Sequence, residues 1–296
     1  MSDSAVLGKP TILSAGECDR GKMRQVNQDS ILHLNIPLGE LLIVSDGIGG
    51  ENAAGVSSSK RVVEQIYSYL LDLPPLYEAD KAIREAVTRA NAKITSDDKQ
   101  PEVLQMRIGT AVAVAIVRQE AEGTCAWIGY VGDCRAYLVR AGRLSRLTFD
   151  HSGVQSLLNR SLITPEEVYH HPDTGVLTRS LGVEPEVEID IEKHPLAVGD
   201  TLVLCSDGLW DSVSDKEIER MASGATVESS ARDLLDRALE AGGRDNISIV
   251  MARVSEARVV PRKSDVQTTL LKLVIVVFVM AAIGLGVLTY LTFFAP

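Results

Sequence analysis

Two pairs of helical stretches, each set between runs of strand-like sequence, limit the fold more than any other feature of this chain. Residues 52–71 place Val56, Val62, Val63, Ile66 and Leu70 on one face, and residues 77–95 do the same with Ala82, Ile83, Ala86, Val87, Ala90 and Ile94. The spacing predicts a second pair over 214–221 and 226–241. Around them, residues 11–18, 30–35, 40–45, 109–118, 124–129, 136–140, 144–147, 186–191, 201–205 and 246–254 read as strands. Residues 150–185 lose that rhythm and suggest short helices (151–160, 164–170) beside a mobile loop. A doubly wound parallel sheet needs strands and helices to alternate singly. This order instead predicts an α+β domain over residues 11–254, with two mainly antiparallel sheets each covered by a helical pair.

The ends of the chain differ in character. Residues 1–10 are a polar start without the apolar core of a signal peptide. Residues 255–268 read as a linker, and 269–294 as a transmembrane helix acting as a tail anchor. From Leu273 to Phe294 no charge occurs, which is long enough to cross a bilayer. Arg262, Lys263 and Lys272 precede the span and no basic residue follows it, so the expected location is the cell membrane, single-pass, with the domain in the cytoplasm. Cys18, Cys125, Cys134 and Cys205 form no C-x-x-C pair and are expected as free thiols in a reducing compartment. Thirty Lys and Arg against forty Asp and Glu give a net charge of −10 with no basic stripe, which argues against nucleic acid as a partner.

Some of the excess acid falls where solvation explains it poorly. Ser45-Asp46-Gly47 and Ser206-Asp207-Gly208 each close an apolar run. Asp29 precedes an early strand, Asp133 lies in Gly132-Asp133-Cys134-Arg135 between two strands, and Asp245 precedes the last one. Asp-Gly is a common turn dipeptide, and Asp29 and Asp133 have an alternative as strand-end caps. Yet the fold expected here would gather these ends at one rim. Converging carboxylates repel one another unless cations neutralise them, and oxygen-only ligands suit Mg²⁺ or Mn²⁺. Two such ions can lower the pKa of a bridging water and stabilise an in-line displacement at phosphorus. Arg24 offers a planar fork for phosphate oxygens, although arginines of this kind are more often plain surface residues. His151, His170 and His171 are alternative acids, though loop histidines are more often simply solvated.

Arg24-x-x-Asn27-x-Asp29, Ser45-Asp46-Gly47-Ile48-Gly49-Gly50, Gly109-Thr110, Gly132-Asp133-Cys134-Arg135, Ser206-Asp207-Gly208 and Gly243-Arg244-Asp245-Asn246 occur in that order. Together they resemble the bacterial branch of the metal-dependent type 2C protein phosphatases, over about residues 11–254. The resemblance implies a four-layer α-β-β-α sandwich with two Mn²⁺ or Mg²⁺ ions between the sheets at one edge. It implies that Asp46, Asp207 and Asp245 are carboxylate ligands and that Gly47 ligates through its carbonyl. Asp29 would act through a metal-bound water, Arg24 would bind phosphate, and Asp133 with Asp207 would hold a weaker third metal. The 150–185 stretch would be a flap that tunes substrate choice.

Two positions depart from the family pattern. Gln28 stands where glutamate is common, so one water-mediated contact loses its charge and metal binding is expected to weaken modestly. Ile48 stands where animal members carry a histidine, which leaves the proton donor unassigned, with metal-bound water as the default. The expected activity is hydrolysis of phosphoserine and phosphothreonine in phosphorylated proteins, by direct attack of water and by a monomer. Two other readings stay open: a catalytically silent membrane-tethered phosphoprotein-binding protein, and a small-metabolite phosphatase. No Cys-x5-Arg loop supports a cysteine nucleophile.

Overall fold

Alternation along the central strands builds three apolar layers in one domain. In the computed structural model, which describes residues 10–48, 53–97, 109–168, 171–173 and 175–256, Gly39–Ile48 (β3) sends Leu41 and Ile43 to one face and Leu42 and Val44 to the other. Gly109–Glu120 (β4) does the same more sharply. Val112, Val114 and Ile116 face helices, whereas the smaller Ala111, Ala113 and Ala115 face the second sheet. Side-chain direction alternates along a strand, so small residues on one face let the two sheets approach while bulk fills the space under the helices.

The first sheet has the order β2-β3-β4-β5-β8, with Asp29–Ile36 as β2, Gly123–Val131 as β5 and Asp190–Leu196 as β8. The helices Ala53–Leu71 (α1) and Ala79–Asp97 (α2) cover it. The second sheet has the order β1-β10-β9-β6-β7, made of Thr11–Asp19, Ile247–Ser255, Thr201–Cys205, Arg135–Arg140 and Arg143–Arg146. Asp215–Ala222 (α6) and Val227–Glu240 (α7) cover that one. Every strand pairing is antiparallel among the described residues. The layering is therefore the α-β-β-α sandwich expected.

Local chemistry accounts for the joints. Ala141 and Gly142 both have positive φ (50° and 72°), which turns β6 into β7 in two residues. Thr226 and Ser214 cap α7 and α6 with reciprocal capping boxes. Between β7 and β8 run Gly153–Asn159 (α3) and Pro165–Val168 (α4), tied back to the body by bridges pairing Ser152 with Leu177 and Thr110 with Leu181.

Three expectations change. The strand read at 186–191 lies instead at Asp190–Leu196. Val187 and Ile189, with Ile191 at the start of the strand, are apolar because they pack into the core under α2, while the rest of the actual strand is a polar edge strand that pairs on one side only. Asp207–Trp210 (α5) is a short helix read as the end of a strand phrase. The last strand runs one residue past 254. The transmembrane helix at 269–294 lies outside the described residues, among which no helix is long and apolar enough to cross a membrane. Residues 1–9, most of the linker, Gly49, Gly50 and His170 lie outside them too.

Candidate active site

Strand parity delivers the acids to one rim. Leu42, Val44 and Asp46 share the inter-sheet face of β3, and Asp29 pairs directly with Asp46 across β2 and β3. On the other sheet Leu202, Leu204 and Ser206 follow the same parity, and Ser206 Oγ donates to Asp29 Oδ2 at 2.7 Å. Asp207 sits one residue further on, in the first turn of α5. Gly208 is required there because a Cβ would come within 1.9 Å of the Asn246 carbonyl, so this glycine serves packing and not a ligand.

Asp133 lies in the turn between β5 and β6, where Gly132 has φ 98° and Trp210 Nε1 donates to the Asp133 carbonyl at 3.1 Å. The loop carrying Arg24 is laid against residues 243–246. Lys22 N donates to Gly243 O at 2.7 Å, and the Asn246 amide donates to Arg20 O and Val26 O while its Oδ1 accepts from Gln28 N.

A cavity of about 300 Å³ results, lined by Arg24, Gln28, Asp46, Gly47, Asp133, Asp207, Asp245 and Asn246, with Ile48, Gly175 and Leu177 at its mouth. A larger groove of about 490 Å³ shares Ile48, Gly175 and Leu177 with it and continues along Thr178–Ser180 and Glu184–Glu188. Asp29 lies behind the cavity, against Asp46. His151 and His171 line neither space.

The electrostatics are those of acids crowded out of water. Burial raises every shifted carboxyl here. Asp46 stands well above the usual carboxylate range, with the charge of Asp29 adding to burial, and Asp207 likewise with the charge of Asp133. Asp29 is pushed up to about 6 and Asp133 to about 7. Burial also lifts the Cys134 and Cys205 thiols far above their usual range, so neither is a ready nucleophile. All four cysteines are free.

The residues fit a hard divalent cation. Asp29 Oδ1 is buried with no hydrogen-bond partner, and the cavity wall offers carboxylate and carbonyl oxygens without a histidine. As they stand, no three His, Cys, Asp or Glu side chains among the described residues close on a single point. Asp245 is turned onto Arg24, whose Nη2 lies 2.6 Å from its Oδ2.

The family profile described as Protein phosphatase 2C matches residues 20–250, most of the chain. The chain belongs to the protein phosphatase 2C family. Among its type 2C relatives, the serine/threonine protein phosphatase PstP of Mycobacterium tuberculosis is 34% identical over 241 residues, covering 81% of this chain and 44% of PstP. The chain thus spans less than half the length of that relative. The serine/threonine phosphatase stp of Listeria monocytogenes is 33% identical over 237 residues, 79% of this chain and 92% of stp. Among solved structures, the catalytic domain of PstP in complex with two manganese ions superposes with a TM-score of 0.73 at 32% identity, covering 84% of this chain and all of that one. Stp1 of Staphylococcus aureus superposes with a TM-score of 0.76 at 27% identity, over 86% of this chain.

Sequence reasoning missed Asn246 and Ser206 as site builders. Both stand inside the family motifs, but their hydrogen bonds join segments about 180 to 220 positions apart, which no local pattern reveals.

Proposed function

We propose that this chain is a Mn²⁺- or Mg²⁺-dependent phosphatase of phosphoserine and phosphothreonine in proteins, tethered to the cytoplasmic face of a membrane. The observation that carries the reading is the convergence of Asp46, Asp133, Asp207, Asp245 and Arg24 on one cavity. Asp46, Asp207, Asp245 and the Gly47 carbonyl would hold two divalent ions, Asp29 would support them through water, and Asp133 with Asp207 would hold a weaker third. Such ions, when bound, supply a lowered pKa for the attacking water and neutralise charge on the phosphoryl group.

Arg24 binds and orients the phosphate by its guanidinium fork. Asp29 and Asp46, behind and beside the cavity, bias the water's position toward phosphorus. Water attacks directly in this reading, and no Cys-x5-Arg loop supplies a cysteine nucleophile for a phosphoenzyme. The adjoining groove, open beyond Leu177, leaves room for polypeptide on either side of a phosphorylated residue and favours protein over small metabolites. Asp207→Asn should abolish Mn²⁺-dependent hydrolysis of a phosphopeptide while leaving the circular dichroism spectrum unchanged. Full activity in that variant would sink the reading.

Membrane attachment is supported by the uncharged run from Leu273 to Phe294. Deleting residues 265–296 should move the protein to the soluble fraction with its rate in vitro preserved.

A further inference from the structure

His151 joins three separate parts of the molecule. Its Nδ1 lies 3.1 Å from Gly132 N, and its own backbone N donates to Gly132 O at 2.9 Å. Its carbonyl accepts from Thr178 N at 2.8 Å, beside the Ser152–Leu177 bridge, so it also pins the segment whose Gly175 and Leu177 stand at the cavity mouth. Its Nε2 lies 3.0 Å from Asp190 Oδ2 on β8, and its ring stacks on Tyr130 with centroids 5.3 Å apart.

These partners determine the tautomer. A backbone amide only donates, so Nδ1 must offer a lone pair and the ring proton must sit on Nε2, facing Asp190. Arg179 Nη1, 3.2 Å from Nε2, is then a second donor to the same carboxylate, reaching Asp190 Oδ1 at 3.3 Å. Burial holds the His151 pKa below its ordinary value, against the pull of Asp190, which agrees with a neutral ring.

We propose that His151 is a positioning residue for Asp133. Clamped by Asp190 as the Nε2–H tautomer, it grips both backbone groups of Gly132, and this sets the left-handed turn that aims the next carboxylate into the cavity. The same residue couples that turn to the 175–178 segment, so Asp133 and the cavity mouth share one support. The consequence for catalysis rests on the proposed metal role of Asp133, whereas the clamp itself does not.

The test compares the full chain with His151→Asn, whose Oδ1 takes the place of Nδ1 as acceptor, and with His151→Leu, which has none. In the wild type, ¹⁵N spectra of labelled histidine rings should show His151 bare at Nδ1 and protonated at Nε2. Exchange of the Gly132 amide should be slow in the wild type and the Asn variant and faster in the Leu variant. The Mn²⁺ concentration giving half-maximal activity should rise roughly tenfold in the Leu variant, as when a partner orienting a ligand is lost, and stay near the wild-type value with Asn. A proton on Nδ1, or an Asn variant that loses Gly132 protection, overturns the clamp. If the Leu variant does not fold, the ring spectrum and the Asn variant still decide. An unchanged Mn²⁺ requirement in Asp133→Asn would overturn the role of Asp133 alone.

Discussion

Arg24 Nη2 stands 2.6 Å from Asp245 Oδ2, so the arginine proposed to hold phosphate is paired with a carboxylate proposed to hold metal. The pair joins positions 221 apart and is about one-third exposed on each side. Phosphate and metal therefore compete with this pair before they meet each other. Arg24→Ala should lower kcat/KM for a phosphopeptide by roughly 10- to 100-fold through loss of a charge-assisted fork. The same change releases Asp245, so the Mn²⁺ requirement should fall, by no more than about fivefold for a pair this exposed. A rise in the Mn²⁺ requirement would show that Arg24 supports the metal site instead of competing with it.

The raised carboxyls predict how stability and metal binding follow pH. Asp29 at about 6 and Asp133 at about 7 lie above the ordinary 3.8, and burial raises Asp46 and Asp207 as well. The metal-free fold thus binds more protons than the unfolded chain. The stability these groups contribute is complete below about pH 4 and is lost as pH rises through 6 and 7. Cation binding needs the ionised acids and expels their protons, so stabilisation by Mn²⁺ should grow over the same interval. Melting temperatures in chelator and in Mn²⁺ should lie closer together at pH 5.5 than at pH 8. An equal gap at both pH values would mean that the acids are already ionised without metal.

The sites of the acids were legible, but much of their support was not. Parity along Leu42, Val44 and Asp46 points Asp46 between the sheets once β3 is recognised, and that run of apolar residues is unmistakable. The helix at Asp207–Trp210 is too short for any periodic signal. The strand Asp190–Leu196 is polar because it pairs on one edge and is half open to water, so apolar spacing drew the expectation to residues 186–191, of which Ile189 is buried and Val187 and Ile191 are partly buried against the helix-covered core. His151 reads in the sequence only as an alternative acid that is more often a solvated loop histidine, whereas it is buried. Its partners Gly132 and Asp190 lie 19 and 39 positions away, so its structural role was not legible.

Asn246 lines the cavity and ties its segments together. Its side chain accepts from Gln28 N at 2.7 Å and donates to Arg20 O and Val26 O at 2.8 and 3.0 Å, holding the Arg24 loop to the start of β10. Asn246→Ala strands these groups and should destabilise the domain by about 2–3 kcal/mol, given net values near 1 kcal/mol per bond and the added cost of a buried unpaired donor. Urea midpoints measure that loss. Activity at saturating Mn²⁺ should fall with it, because Arg24 rides on the same loop. A variant destabilised as expected but fully active would show that the loop needs no anchor to place Arg24.

Arg135 supports the Asp133 turn through Trp210. Its guanidinium lies 3.5 Å from the Trp210 ring, forks onto Asp150 at 3.1 and 2.7 Å, and donates to Tyr137 OH at 3.2 Å, with only 3% of the side chain exposed. Trp210 in turn holds the Asp133 carbonyl. Arg135→Lys keeps the charge but loses both the fork and the stacked plane, and leaves Asp150 to Arg146. Breaking a buried, hydrogen-bonded pair of this kind costs about 3–5 kcal/mol, and the lysine ammonium recovers only part of it. A urea midpoint equivalent to about 3 kcal/mol of lost stability is expected. Trp210→Phe keeps the ring face and removes only the Nε1 donor, so it should cost less stability, near 1 kcal/mol, while still raising the Mn²⁺ requirement. If Arg135→Lys were neutral in urea, charge alone would support this turn and the stacked geometry would be incidental.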